Sequence, residues 1–150
     1  MQYEIMVLGV VTSTLFYELT GISPGGIVVP SYIALYFNDP SKILYTIFLA
    51  IISALTVKFL SNYMILYGRR KFAMCIVISF LLGVLIKYIN LEIFVKYNFY
   101  FFDERAIGII IAGILASDIE KNGIIKTVTS LLIVSISINS LYEIFGRLVK

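Results

Sequence analysis

The residues whose types and spacing could do chemistry fall into four places. Glu18 opens the stretch ELTGISPGGIVVPSYIAL, which holds Gly21, Pro24, Gly25, Gly26 and Pro30 inside an otherwise apolar region. Glycine lets backbones approach closely and reaches positive φ. Proline lacks an amide donor and frees a carbonyl upstream. In a bilayer such freed groups must be met by neighbouring protein or by a polar ligand. Gly25-Gly26 after Pro24 could open a short helix whose first amides suit an anion. The other reading is a tight crossing of membrane helices at small residues. A second apolar stretch carries Gly108 and Gly113. Lys58 interrupts a long apolar run, where a charge is a functional candidate by default, and Glu18 is its candidate partner. Finally, Arg69, Arg70 and Lys71 stand side by side. Such a cluster can pair with carboxylates, or it can simply signal topology.

Other chemistry is excluded by what the chain lacks. There is no histidine, hence neither the commonest metal ligand nor the commonest general base. Cys75 is the only cysteine, so no intrachain disulfide forms. No P-loop, nucleophile elbow or well-spaced carboxylate pair occurs, so no catalytic residue, metal or cofactor is expected. If the chain serves an energy-requiring reaction, the nucleotide site belongs to a partner. The net charge of +3 is modest. It reports loop orientation and gives no sign of nucleic-acid binding.

These residues must be positioned by membrane elements. The 150 residues are 60% hydrophobic and 14% charged, with a mean hydropathy of +0.98. A soluble domain carries about a quarter charged residues. The chain therefore reads as an all-α, polytopic membrane protein. Tyr3–Leu19 lacks a basic leader and a cleavage site and reads as a retained first span. Ile43–Tyr67, Phe72–Ile89 and Ile124–Tyr142 are three more stretches of spanning length. Gly26–Phe37 and Ala106–Ser117 are shorter, and the second is flanked by charge, with Asp103, Glu104 and Arg105 before it and Asp118 and Glu120 after it. About 12 residues give about 18 Å of helix against a hydrocarbon core near 30 Å. They either span with help from their flanks or re-enter, so the count lies between four and six spans. Leu91–Phe102 mixes charge with aromatic rings and suits the headgroup level. The Arg69–Lys71 loop is expected in the cytoplasm by the positive-inside rule.

The two short stretches match at a constant offset of 82 residues: Gly26 with Gly108, Ile27 with Ile109, Ala34 with Ala116. Each lies between long spans. The chain therefore reads as one membrane domain of two pseudo-repeat halves, about 1–68 and 72–150. Paired Gly/Pro-interrupted segments mark the functional centre in many transporter folds.

Three motifs, ELTGISPGGIVVPSYIAL (18–35), MILYGRRKFAM (64–74) and GIIIAGILASDIEKNG (108–123), together resemble the PgsC/CapC family over essentially the whole chain. Thr20, Gly21, Pro24, Gly26, Ile27, Val28, Val29, Pro30 and Tyr32 match its first pattern. Tyr67, Gly68, Arg69, Arg70 and Phe72 match its cytoplasmic one. Ala112 stands where the family often has proline, and Ser31 where it often has glycine. The resemblance implies a small multi-pass subunit of the bacterial cytoplasmic membrane, acting in poly-γ-glutamate (capsule) synthesis. It implies a partner ligase that uses ATP and Mg at the cytoplasmic face, other membrane-linked subunits, and help with polymer passage. Four to six spans are thin for a polymer conduit, which favours self-association. An independent transporter of an organic anion or amino acid, and a plain anchor for the ligase, are the competing readings.

Overall fold

The structure is a computed structural model that describes the backbone at residues 2–63, 68–97 and 108–148 and side chains over 3–63, 68–89 and 108–144. The described elements are six α-helices: α1 Gln2–Thr20, α2 Val29–Leu35, α3 Pro40–Leu60, α4 Arg69–Tyr97, α5 Ile109–Asn122 and α6 Ile124–Leu148. The order is long–short–long, twice. Three helices are long and apolar enough to cross a membrane: α3, α4 over Arg69–Ile89, and α6 over Ile124–Ile144. The sequence suggested four such stretches. The first, α1, has 19 residues but carries Gln2, Glu4, Glu18 and four serine or threonine residues, which lower its hydropathy.

Helix ends follow from local chemistry. At the end of α1, Gly21 adopts φ +67 and its amide donates to the Tyr17 carbonyl at 2.8 Å, the left-handed cap that glycine permits. Helix α2 opens at Val29 with Pro30 in its first turn. The expected opening at Gly25-Gly26 is three residues too early, because both glycines lie at φ near +90 and cannot join a right-handed helix. Asp39 precedes Pro40, which disfavours the helical region, and sits at φ −117, ψ 75. That stops the chain from running helically from α2 into α3. Gly123 at φ +90 separates α5 from α6.

Several boundaries differ from the sequence reading, and three of them bear on the candidate residues. The second long helix ends at Leu60, because Ser61-Asn62-Tyr63 form a turn. Lys58 therefore lies in the last helical turn, exposed, and not deep in a span. The third helix runs on to Tyr97, so the first part of the aromatic stretch continues α4. Residues 98–102 and the Asp103-Glu104-Arg105 run lie outside the described residues. The second short stretch is displaced and longer, running through Asp118 and Glu120 to Asn122.

The chain forms two compact units, Met1–Asn38 with Asp118–Lys150, and Asp39–Ser117. Each joins a first long helix to the closing long helix of the other half. In the first unit, α1, α2 and α6 pack on one another, with Ala34, Val134 and Ile138 at the core and Ile5 and Phe16 against them. In the second, α3 packs on α4. The buried stripe of α3 (Tyr45, Thr46, Leu49, Ala50, Ser53, Ala54, Val57) has helical spacing. Outward faces are apolar in both units, with Phe48 and Leu55 on α3, Phe80 and Leu81 on α4, and Ile133 and Ile136 on α6 all about half exposed or more. Contiguous apolar surface of this extent is unlike a soluble monomer and suits lipid. Hydroxyls within these helices are largely answered by the carbonyl one turn back, for example Thr46 to Lys42, Ser53 to Leu49 and Ser135 to Leu131.

Candidate functional site

A cavity of about 520 Å³ opens within the first unit. Its wall is built by three pieces of chain. The end of α1 contributes Ser13, Thr14, Tyr17 and Glu18. The irregular segment contributes Gly21, Ser23, Pro24, Gly26 and Ile27. The end of α5 contributes Asp118, Lys121 and Asn122. Such a volume is ordinary for a small-ligand site.

The irregular segment is held in place by a relay of hydrogen bonds. The Gly26 amide donates to Ser23 Oγ at 3.1 Å, and Ser23 Oγ donates to Asp118 Oδ2 at 2.5 Å. The second bond is charge-assisted and joins residues 95 apart in sequence. Thr127 Oγ1, itself bonded to the Gly123 carbonyl at 2.9 Å, also lies 3.3 Å from the Asp118 carbonyl. Thr20 caps the turn, with its hydroxyl donating to the Phe16 carbonyl at 2.7 Å and accepting from the Ile22 amide at 3.3 Å. The Gly26 amide is thus satisfied inside the protein, not presented to an anion.

One hydroxyl on this wall stands apart. Thr12 and Thr14 bond back to the carbonyls of Leu8 and Val10. Ser13 lies between them, is 1% exposed, and its Oγ finds no partner. A buried, unpaired hydroxyl costs about 1–3 kcal/mol.

Of the candidate residues read from sequence, Glu18, Gly21, Pro24 and Gly26 come together on this cavity. Gly25 is buried beside them, and Pro30 is buried in α2. Lys58, Gly108, Gly113, Arg69, Arg70 and Lys71 belong to the second unit. There Gly113 is a packing residue, since a Cβ on it would lie 2.8 Å from the Ile76 Cα. Gly108 stands exposed at φ +105 just before α5. Arg69 and Arg70 are exposed at the start of α4, and Lys71 is half-buried there. Cations at a helix N-terminus oppose the helix dipole, so helix stability does not explain their placement.

Sequence reasoning missed Ser13, Ser23, Lys121 and Asn122, and noted Asp118 only as a flanking charge. The available signal was the offset between the halves. It sets Asp118 opposite Tyr36, just past the point where the first short helix ends. Among the described residues no cluster of metal-ligating side chains occurs.

Known proteins resemble this chain over most of its length. The family described as "Capsule biosynthesis CapC" matches residues 8–128. The "Capsule biosynthesis protein CapC" of Bacillus anthracis is 37% identical over 147 residues, covering 95% of this chain and 96% of its own length. The "PGA biosynthesis protein CapC" of Bacillus subtilis (strain 168) is 39% identical over 134 residues, covering 89% of this chain and 87% of its own. No solved structure matches. The glycine-broken segment, the Arg-Arg-Lys run at the start of α4 and the whole of α5 fall inside the matched region, and the chain belongs to the CapC family of capsule biosynthesis proteins.

Proposed function

We propose that the chain is a multi-pass subunit of the bacterial cytoplasmic membrane that serves poly-γ-glutamate synthesis, binds the ATP-dependent ligase and helps the polymer cross. The observation that carries this reading is full-length kinship to relatives named for capsule and PGA biosynthesis. Three spanning helices with apolar outward faces support the location. ATP and Mg belong to the ligase in this reading. Arg69 and Arg70 are its contact at the cytoplasmic face, free to pair with acidic side chains. Other membrane-linked subunits and a second copy of the chain complete the apparatus.

The proposal includes a two-fold repeat. At the offset of 82, Gly26 and Gly108 both take positive φ, +91 and +105. From Val28 and Ile110 to Ala34 and Ala116 the exposure runs identically: exposed, three buried, half-buried, two buried. Ser31 and Gly113, again 82 apart, each lie where the short helix packs tightly on the preceding long helix, at Gly9 and at Ile76. Paired broken segments of this kind suit a passage and not only an anchor.

The test is co-purification. The tagged chain, extracted in mild detergent from a producing strain, should carry ATP-dependent glutamate-ligating activity. The chain alone should hydrolyse no ATP. ATP turnover by the pure chain, or polymer production undiminished by its deletion, would overturn the proposal.

A further inference from the structure

We propose that the cavity of the first unit binds the amino-terminal residue of a γ-glutamyl chain. This rests on the function proposed above and names what that site takes. The charge of the wall is the starting point. Glu18 and Asp118 are acidic and Lys121 alone is basic. Such a wall repels the body of a polyanion, which carries one carboxylate per residue. The amino-terminal residue differs. Because the chain is linked through the γ-carboxyl, its first residue keeps an ammonium and an α-carboxylate on the same carbon. Two carboxylates beside one lysine complement that amino-acid head, with the ammonium toward Glu18 and Asp118 and the carboxylate toward Lys121 and the Asn122 amide.

Two further observations point to a ligand. Ser13 belongs to this wall, is buried, and leaves its Oγ unpaired where its helix neighbours satisfy theirs. Asp118 is fixed by Ser23, which is fixed by Gly26, so the carboxylate is oriented before any ligand arrives. Preorganisation of this kind lowers the ordering cost of binding. About 520 Å³ is far more than a bare cation needs and accommodates an amino-acid head with part of the next residue. The cavity would thus select the end of the polymer and set the direction in which it enters.

The experiment is calorimetric titration of the full chain in lipid nanodiscs with γ-glutamylglutamate, in both enantiomeric series, and with its N-acetylated form. Saturable binding of the free dipeptide is expected, weakened about tenfold or more by N-acetylation, which removes the ammonium. Glu18→Gln and Asp118→Asn should each weaken it about tenfold. Glu18 is exposed, so its variant keeps the test valid if the Asp118 variant fails to fold. Equal binding of the acetylated dipeptide overturns the inference. So does no binding by the unaltered chain, or an effect of sodium or potassium salt alone with none from the dipeptide. Failed binding with the ligase still co-purifying would remove this inference and leave the proposed function standing. Dipeptide binding without ligase co-purification would remove the function and leave the amino-acid site.

Discussion

The two short helices are buried alike and end differently. Each follows a glycine at positive φ and buries the same positions. Yet α2 stops after 7 residues while α5 runs for 14. The first gives way to a turn at Tyr36–Asn38 ahead of Asp39-Pro40, whereas the positions opposite that dipeptide, Lys121 and Asn122, still belong to the second helix, which runs up to Gly123. The extra turns of α5 carry Asp118, Lys121 and Asn122 onto the cavity that α1 and the broken segment enclose. On the proposed repeat, the two short segments serve two uses: the broken stretch before α2 borders a polar cavity in the first unit, and α5 packs closely on α4 in the second. Small residues mark both crossings, but on opposite partners. Gly9 on the long helix meets Ser31 on the short one, and Gly113 on the short helix meets Ile76 on the long one.

The largest effect should come from breaking those crossings. A Cβ at Gly9 would lie 2.9 Å from the Ser31 Cα, and one at Gly113 would lie 2.8 Å from the Ile76 Cα. Backbone cannot yield as a side chain does. Gly9→Leu and Gly113→Leu should each destabilise by at least about 3 kcal/mol, read as lost thermal stability or lost monodisperse protein in detergent. Ser31→Gly should partly restore Gly9→Ala, because it removes the nearest side-chain atoms. A double-mutant cycle with no coupling would refute that contact.

Next come Gly26→Ala and Gly108→Ala. Both force a Cβ into the left-handed region, at about 1–2 kcal/mol each. Equal losses would sharpen the repeat, and a large inequality would break it. Smaller still are Ser13→Ala and Ser79→Ala, which delete buried unpaired hydroxyls in α1 and α4. Both should be neutral or stabilise by about 1 kcal/mol in thermal unfolding. Only Ser13→Ala should weaken dipeptide binding, since Ser13 alone of the two lines the cavity. Least of all in stability, Arg69→Gln with Arg70→Gln should change unfolding by under about 0.5 kcal/mol. The same pair should reduce ligase recovery in co-purification.

Much of this plan was legible in the chain. The broken segment announced itself through Pro24, Gly25 and Gly26, and its counterpart through Gly108. The all-helical class followed from composition. What sequence did not show was depth and distant pairing. Lys58 looked buried because Ser61 and Asn62 are a weak interruption in a long apolar run, yet they end α3. Asp118 looked like a flanking charge because its partner, Ser23, lies in the other half of the chain. Gly113 looked like a site residue because a glycine that admits a neighbouring helix and one that admits a ligand are spelled the same way. Only the position of Ile76 separates them.

The central claim is that the first unit carries the passage and the second its packed counterpart. Gly26→Leu and Gly108→Leu test it directly, because both bear similar backbone strain but only Gly26 lines the cavity. In a producing strain, with ligase recovery checked for each, polymer should be measured inside and outside the cell. Gly26→Leu should leave polymer inside, and Gly108→Leu should release it as the unaltered chain does. Unchanged release in both variants, or equal retention in both, would contradict the account.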